Sequence, residues 1–80
     1  MEPNEVQNLI FDPKKLREAR IAKFPDSSLR QVATDILGVS PQSLSQYEKG
    51  GDKPSPTTLA RMCALYGVDL LDLTTLEIAA

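Results

Sequence analysis

The apolar residues of this chain fall into short helical stripes separated by polar stretches. Leu29, Val32, Ala33, Ile36 and Leu37 stand at i, i+3, i+4, i+7 and i+8, one continuous stripe of a helix over about 29–37. Leu59, Met62, Cys63 and Tyr66 repeat the first four of those spacings, which predicts a helix over about 56–66. Leu16 and Ala19 mark the inner face of a helix over about 13–23, and Leu70, Leu71 and Leu73 mark a short last one. The stretch from Gly38 to Gly50, GVSPQSLSQYEKG, is different. Val39, Leu44 and Tyr47 face one way, and two glutamines and three serines make up much of the rest. A helix over about 41–49 is expected there, but one whose polar face presents amides and hydroxyls.

Start and stop signals bracket each stripe. Asp12-Pro13, Ser40-Pro41 and Ser55-Pro56 pair a capping oxygen with a proline at the first helical position, where its missing N–H costs nothing. Ser28-Leu-Arg-Gln31 is a capping box. Pro25 ends the first helix, and Gly38, Gly50-Gly51 and Gly67 end the next three. The helices over 29–37 and 41–49 are joined so tightly, through Gly38 and Val39, that they must cross steeply. No segment of the chain reads as a strand and no repeat is present. The fold class expected is all-α, with five short helices. The domain is expected over 12–73, preceded by an arm at 1–11, where Leu9, Ile10 and Phe11 form an apolar run, and followed by a tail at 74–80.

Eighty residues allow one domain. The single cysteine, Cys63, rules out an intrachain disulfide and sits in an apolar register that suits a small core residue. Histidine is absent, so ordinary zinc sites and catalytic triads cannot be assembled, and the eleven acids show no catalytic pairing. No metal, no cofactor and no enzymatic activity are expected. No apolar run approaches the roughly 20 residues of a membrane span, and the acidic start MEPNEVQ lacks the basic character of a signal peptide. A cytoplasmic location is expected.

The net charge of −2 argues at first against nucleic acid. Its distribution argues the other way. All nine basic residues lie between Lys14 and Arg61, against five acids in the same span, which leaves a surplus of four positive charges. The other six acids sit toward the two ends, so the middle can carry a positive face. Gln42 and Gln46 stand one turn apart, and a glutamine amide matches the N6/N7 edge of adenine in the major groove. Two arbitrary glutamines would be solvated surface residues. Here they lie on the second helix of a steeply crossed pair, flanked by Lys49 and Lys53, and base reading becomes the better account.

The run from Ser28 to Leu73 resembles the Cro and phage-repressor helix-turn-helix family, the xenobiotic-response-element type of regulator. The resemblance is carried by Val32-Ala33, LGVS at 37–40, LSQYEKG at 44–50, PSPTTL at 54–59 and LYGVDLLDL at 65–73, with LREAR at 16–20 ahead of them. It implies a lambda-repressor-like domain of five helices, with the helix-turn-helix at about 29–49 and the helix over 41–49 in the major groove. By the same resemblance Gln42, Ser43, Ser45 and Gln46 are expected to read bases. Lys49 and the 50–53 loop with Lys53 are expected on phosphates, and Arg20 and Glu48 match an ion pair between the first and third helices. The backbone N–H groups near Ser28, with Arg30, are further expected phosphate ligands. Four departures from the family pattern stand out: Leu29 in place of a phosphate-binding glutamine, one extra residue between Ala33 and Gly38, a longer segment KFPDSS at 23–28 between the first two helices, and Pro41 where a base-reading side chain often stands.

The function expected is that of a sequence-specific double-stranded DNA-binding transcriptional regulator, a repressor, bound as a homodimer to a palindromic operator. Val68 to Ile78, with Leu76 and Ile78 alternating with polar residues, is the expected dimer contact, joined by the 9–11 arm. The alternative is a protein-interaction module of antitoxin or anti-repressor type on the same scaffold. The start FDPKKLREAR is also similar to the DNA-binding end of regulators that continue into a metallopeptidase or sensor domain, so a C-terminal effector domain or a protein partner stands as a further expectation.

Overall fold

The computed structural model describes residues 7–78, with side chains from Ile10 to Thr75. Strand β1 (Gln7–Phe11) leads into helix α1 (Pro13–Lys23). Helix α2 is one α-helical turn, Leu29–Gln31, continued by a π-helical segment, Val32–Leu37. Helices α3 (Pro41–Lys49) and α4 (Pro56–Tyr66) follow, then a 3-10 turn at Leu70–Asp72 and strand β2 (Thr74–Ile78). The fold is mostly helical, as the stripes require, and α1, α3 and α4 keep the bounds that their caps and glycines set.

Each helix start is held by the oxygen placed for it. Ser28 Oγ accepts from Gln31 N–H at 3.1 Å while Gln31 Oε1 accepts from Ser28 N–H at 2.8 Å. Ser40 Oγ accepts from Ser43 N–H at 3.0 Å, and Ser55 Oγ from Thr58 N–H at 3.2 Å. Gly38 and Gly50 end α2 and α3 at φ 70° and 81°, a left-handed conformation that a side chain would strain. Leu16, Val32, Ala33, Leu37, Leu44, Met62, Tyr66 and Leu73 form the buried core, with Tyr47, Leu59 and Cys63 packed partly buried against it.

The π-helical segment of α2 has a visible consequence. In an α-helix Ile36 would follow Val32 on the inner face, four residues on. Here the rings widen to five residues, with Gly38 N–H donating to Ala33 O, and Leu37 takes that place. Val32, Ala33 and Leu37 are buried while Ile36 is only half-buried, and Thr34 and Asp35 face solvent. The wider rings lie wholly inside α2, which ends at Gly38 two residues before the Ser40 cap of α3. Arg61 of α4 ties this end down by donating from Nη2 to Leu37 O.

Two expectations are corrected. The fifth helix is only the 3-10 turn Leu70–Asp72, because Leu73 is buried and the chain after it runs extended. The chain is not free of strands as expected: β1 and β2 pair as an antiparallel ribbon, with Phe11 opposite Thr74 and Gln7 opposite Ile78. Asp12 N–H continues the ladder to Leu73 O at 2.9 Å. Asp12 then joins ribbon to helix. Its Oδ1 accepts from Lys14 and Lys15 N–H at 3.0 and 3.3 Å, and its Oδ2 accepts from the Thr75 hydroxyl at 2.8 Å. The side chains of Leu9, Leu76 and Ile78, expected as surplus apolar surface, lie outside the described residues, as do residues 1–6 and 79–80 altogether.

Candidate nucleic-acid interface

Helix α3 buries Leu44 and leaves Gln42 and Gln46 exposed one turn apart. Ser43 is half-buried, and its hydroxyl oxygen accepts from the Ser40 hydroxyl at 2.8 Å, so it is held at the first turn of the helix. Ser45 is half-buried on the flank that faces α1. The Gln46 carboxamide lies back over Gly51, in space that any Cβ at position 51 would take. The backbone of Gln46 also accepts from Gly51 N–H at 3.0 Å, so the loop after α3 starts from a fixed point.

Beside the shared core contacts of Leu16 and Leu44, an ion pair ties α3 to α1. Arg20 Nε donates to Glu48 Oε2 at 2.7 Å and Arg20 Nη2 to Glu48 Oε1 at 3.0 Å, a two-pronged contact that matches the guanidinium fork to both carboxylate oxygens. The two side chains are only 10% and 5% exposed. The hydrogen bonds to Glu48 hold the Arg20 guanidinium above its ordinary range despite burial. Tyr66 lies alongside. Its ring packs edge-on against Phe24, with centroids 6.1 Å apart, and its buried hydroxyl has no hydrogen-bond partner among the described residues. Burial, with the Glu48 charge second, pushes that phenol well above the usual tyrosine range, so it stays neutral.

The expected phosphate ligands are placed around this frame. Lys49 and Lys53 are exposed at the end of α3 and in the following loop, where Asp52 Oδ1 accepts from Lys53 N–H at 2.8 Å. Ser28 and Arg30 are exposed at the start of α2. The capping box occupies the N–H groups of Ser28 and Gln31, which leaves those of Leu29 and Arg30 facing outward. The structure brings Ser45, Glu48 and Lys49 together with Arg17, Arg20 and Leu29 around a pocket of about 310 Å³. Arg30 and Lys53 do not line it. Arg17 was not singled out from the sequence, although it stands three residues before Arg20 and so shares its face of α1.

Residues 14–73 match the profile of the helix-turn-helix family over most of the domain. The chain belongs to the helix-turn-helix family. Within this family the match is to domains of the Cro and phage-repressor kind, so the protein carries a DNA-binding domain of the regulator type. The capped pair α2 and α3 is its helix-turn-helix, and α3 is in the position of the second helix of the motif. Comparison with curated proteins and with solved structures gives no match. No helix among the described residues is long and apolar enough to cross a membrane.

Proposed function

We propose that this helix-turn-helix protein is a sequence-specific repressor that reads a palindromic operator as a homodimer, with α3 in the major groove. The observation that carries the reading is the exposed pair Gln42 and Gln46 on a helix held in place by the Arg20–Glu48 contact. Glutamine offers a donor and an acceptor in one plane, which suits the adenine edge, and Ser43 and Ser45 add short hydroxyls beside it. Gln46 reaches a base by rotating its side chain off Gly51. Lys49, Lys53, Arg30 and the N–H groups after Ser28 hold phosphates and set the register. Occupying an operator blocks transcription without further contacts, which makes repression the simplest outcome in the cytoplasm where the DNA lies.

A single recognition helix covers too few base pairs to select a site in a genome, so two copies about one helical turn apart are required. Leu70 and Leu71, 43% and 62% exposed after α4, supply the described part of an apolar contact for a second copy. Selection of bound sites from random duplex DNA tests the whole reading. A palindromic consensus is expected, and Gln42→Ala or Gln46→Ala should cost about 1–3 kcal/mol on it while leaving random DNA unaffected. Equal losses on both would remove these glutamines from base reading.

The second reading is a protein-interaction module, favoured by the low isoelectric point near 4.9 and by the exposed Leu65, Leu70 and Leu71. Salt separates the two. Counterion release gives a steep loss of affinity with salt only when phosphates are bound.

A further inference from the structure

The pocket between α1 and α3 is lined by three cations, Arg17, Arg20 and Lys49, and one carboxylate, Glu48. Arg20 takes both oxygens of Glu48, and these two charges cancel in a contact that is nearly buried. Arg17 and Lys49 are therefore left in surplus. Both are exposed, and neither makes a salt bridge among the described residues. Leu29 closes a third side with an apolar wall and brings no side-chain donor, while Ser45 contributes a hydroxyl.

This is an arrangement for an oxyanion. Two cations converge from different elements, a hydroxyl stands beside them, and the one carboxylate present is already neutralised. Its position selects the source. Ser45 and Lys49 are four residues apart on α3, on the flank adjoining the exposed Gln42 and Gln46, and the wall at Leu29 is the first residue of α2. When a helix of this kind lies in the major groove, the helix before it crosses the sugar-phosphate backbone. The pocket then faces that backbone.

We infer that Arg17, with Lys49 and the Ser45 hydroxyl, holds one DNA backbone phosphate in the pocket between α1 and α3. The site rests on the DNA-binding reading of α3 and adds α1 to the contact surface. Arg17 contributes affinity without sequence preference, because a phosphate is the same at every base pair. It also fixes how deep α3 sits, since Arg17 and Arg20 share one face of α1 and Arg20 is locked to α3.

The test compares wild type, Arg17→Gln and Arg17→Lys on a selected duplex and on a random duplex, as a function of salt. Arg17→Gln should lower the salt slope by about one on both duplexes, and Arg17→Lys should restore it. Between 50 and 200 mM salt the wild type should lose about 3.5-fold more affinity than Arg17→Gln. A duplex with one phosphate replaced by a neutral methylphosphonate localises the contact: at one position wild type weakens more than Arg17→Gln does, the smaller loss in the variant being the share held by Lys49 and Ser45. Arg17 is exposed, so thermal melting should be unchanged. An unchanged slope in Arg17→Gln, beside a steep one in wild type, overturns this site while leaving the DNA reading intact. A wild type whose binding does not weaken with salt overturns the DNA reading and this site with it.

Discussion

Arg20 of α1 and Glu48 of α3 form a two-pronged ion pair with side chains 10% and 5% exposed, which ties α3 to α1 beside their shared core. Burying two charges costs desolvation that their attraction only partly offsets, but stranding one of them costs far more. Glu48→Gln alone or Arg20→Met alone should therefore destabilise the domain by about 3–5 kcal/mol in urea unfolding, and the double change should cost less than the sum. Additive losses in the cycle would mean that the two residues act separately.

Asp12 predicts how the domain responds to acid. The Thr75 hydroxyl is the largest influence lowering its pKa, helped by the N–H groups of Lys15 and Lys14. A carboxylate whose pKa is depressed in the folded state stabilises that state above the unfolded pKa, and the contribution is lost as pH falls through the folded value. Wild type should thus lose stability below about pH 4, as the capping carboxylate protonates. Asp12→Asn keeps a capping oxygen and removes the charge, so its melting temperature should fall less steeply over that range. Parallel acid limbs for the two proteins would show that Asp12 carries none of the dependence.

The helical part of this fold was legible because its signals are local. Each cap oxygen, each proline at a first helical position and each terminating glycine acts within a few residues, and α1, α3 and α4 begin and end where those signals stand. The ribbon was not. Leu9-Ile10-Phe11 is an apolar run without alternation, and its partner strand begins only at Thr74. The alternation of Leu76 and Ile78 with Thr75 and Glu77 was visible, yet nothing local says that such a tail finds an arm at the opposite end of the chain. The π segment was half legible: one residue too many in α2 was apparent, but where the helix would absorb it depends on which side chains the core accepts. At the candidate interface, exposure of Gln42 and Gln46 follows from the pattern of α3, whereas the pocket at Arg17 exists only once α1 lies against α3.

The π segment suggests a deletion that the domain should tolerate. Thr34 and Asp35 both face solvent, and removing Asp35 would bring Leu37 to the fourth position after Val32. The five-residue rings could then close as ordinary α-helical rings, with Val32, Ala33 and Leu37 still inward. Deleting Asp35 should change stability by no more than about 1 kcal/mol and leave helical circular dichroism intact, since no buried side chain is lost. Loss of cooperative unfolding would show that the wider turn is needed by the packing around it.

Leu71 tests the assembly. It is the most exposed large apolar side chain described, at 62%, and it follows Leu70, 43% exposed, between α4 and the ribbon. A lone leucine on a surface needs no explanation, but two adjacent ones have a use in the homodimer proposed above. The contact around a twofold axis is made by the same patch on both copies, so one substitution changes it twice. Leu71→Glu would place two like charges across that axis while disturbing no buried group within its own domain. The melting temperature of the dilute protein should be nearly unchanged. Binding to a full palindrome should lose its cooperativity and fall toward the affinity for a single half-site, and sedimentation of the complex should show one copy per duplex where wild type shows two. Undiminished binding of two copies by Leu71→Glu would place the dimer contact elsewhere.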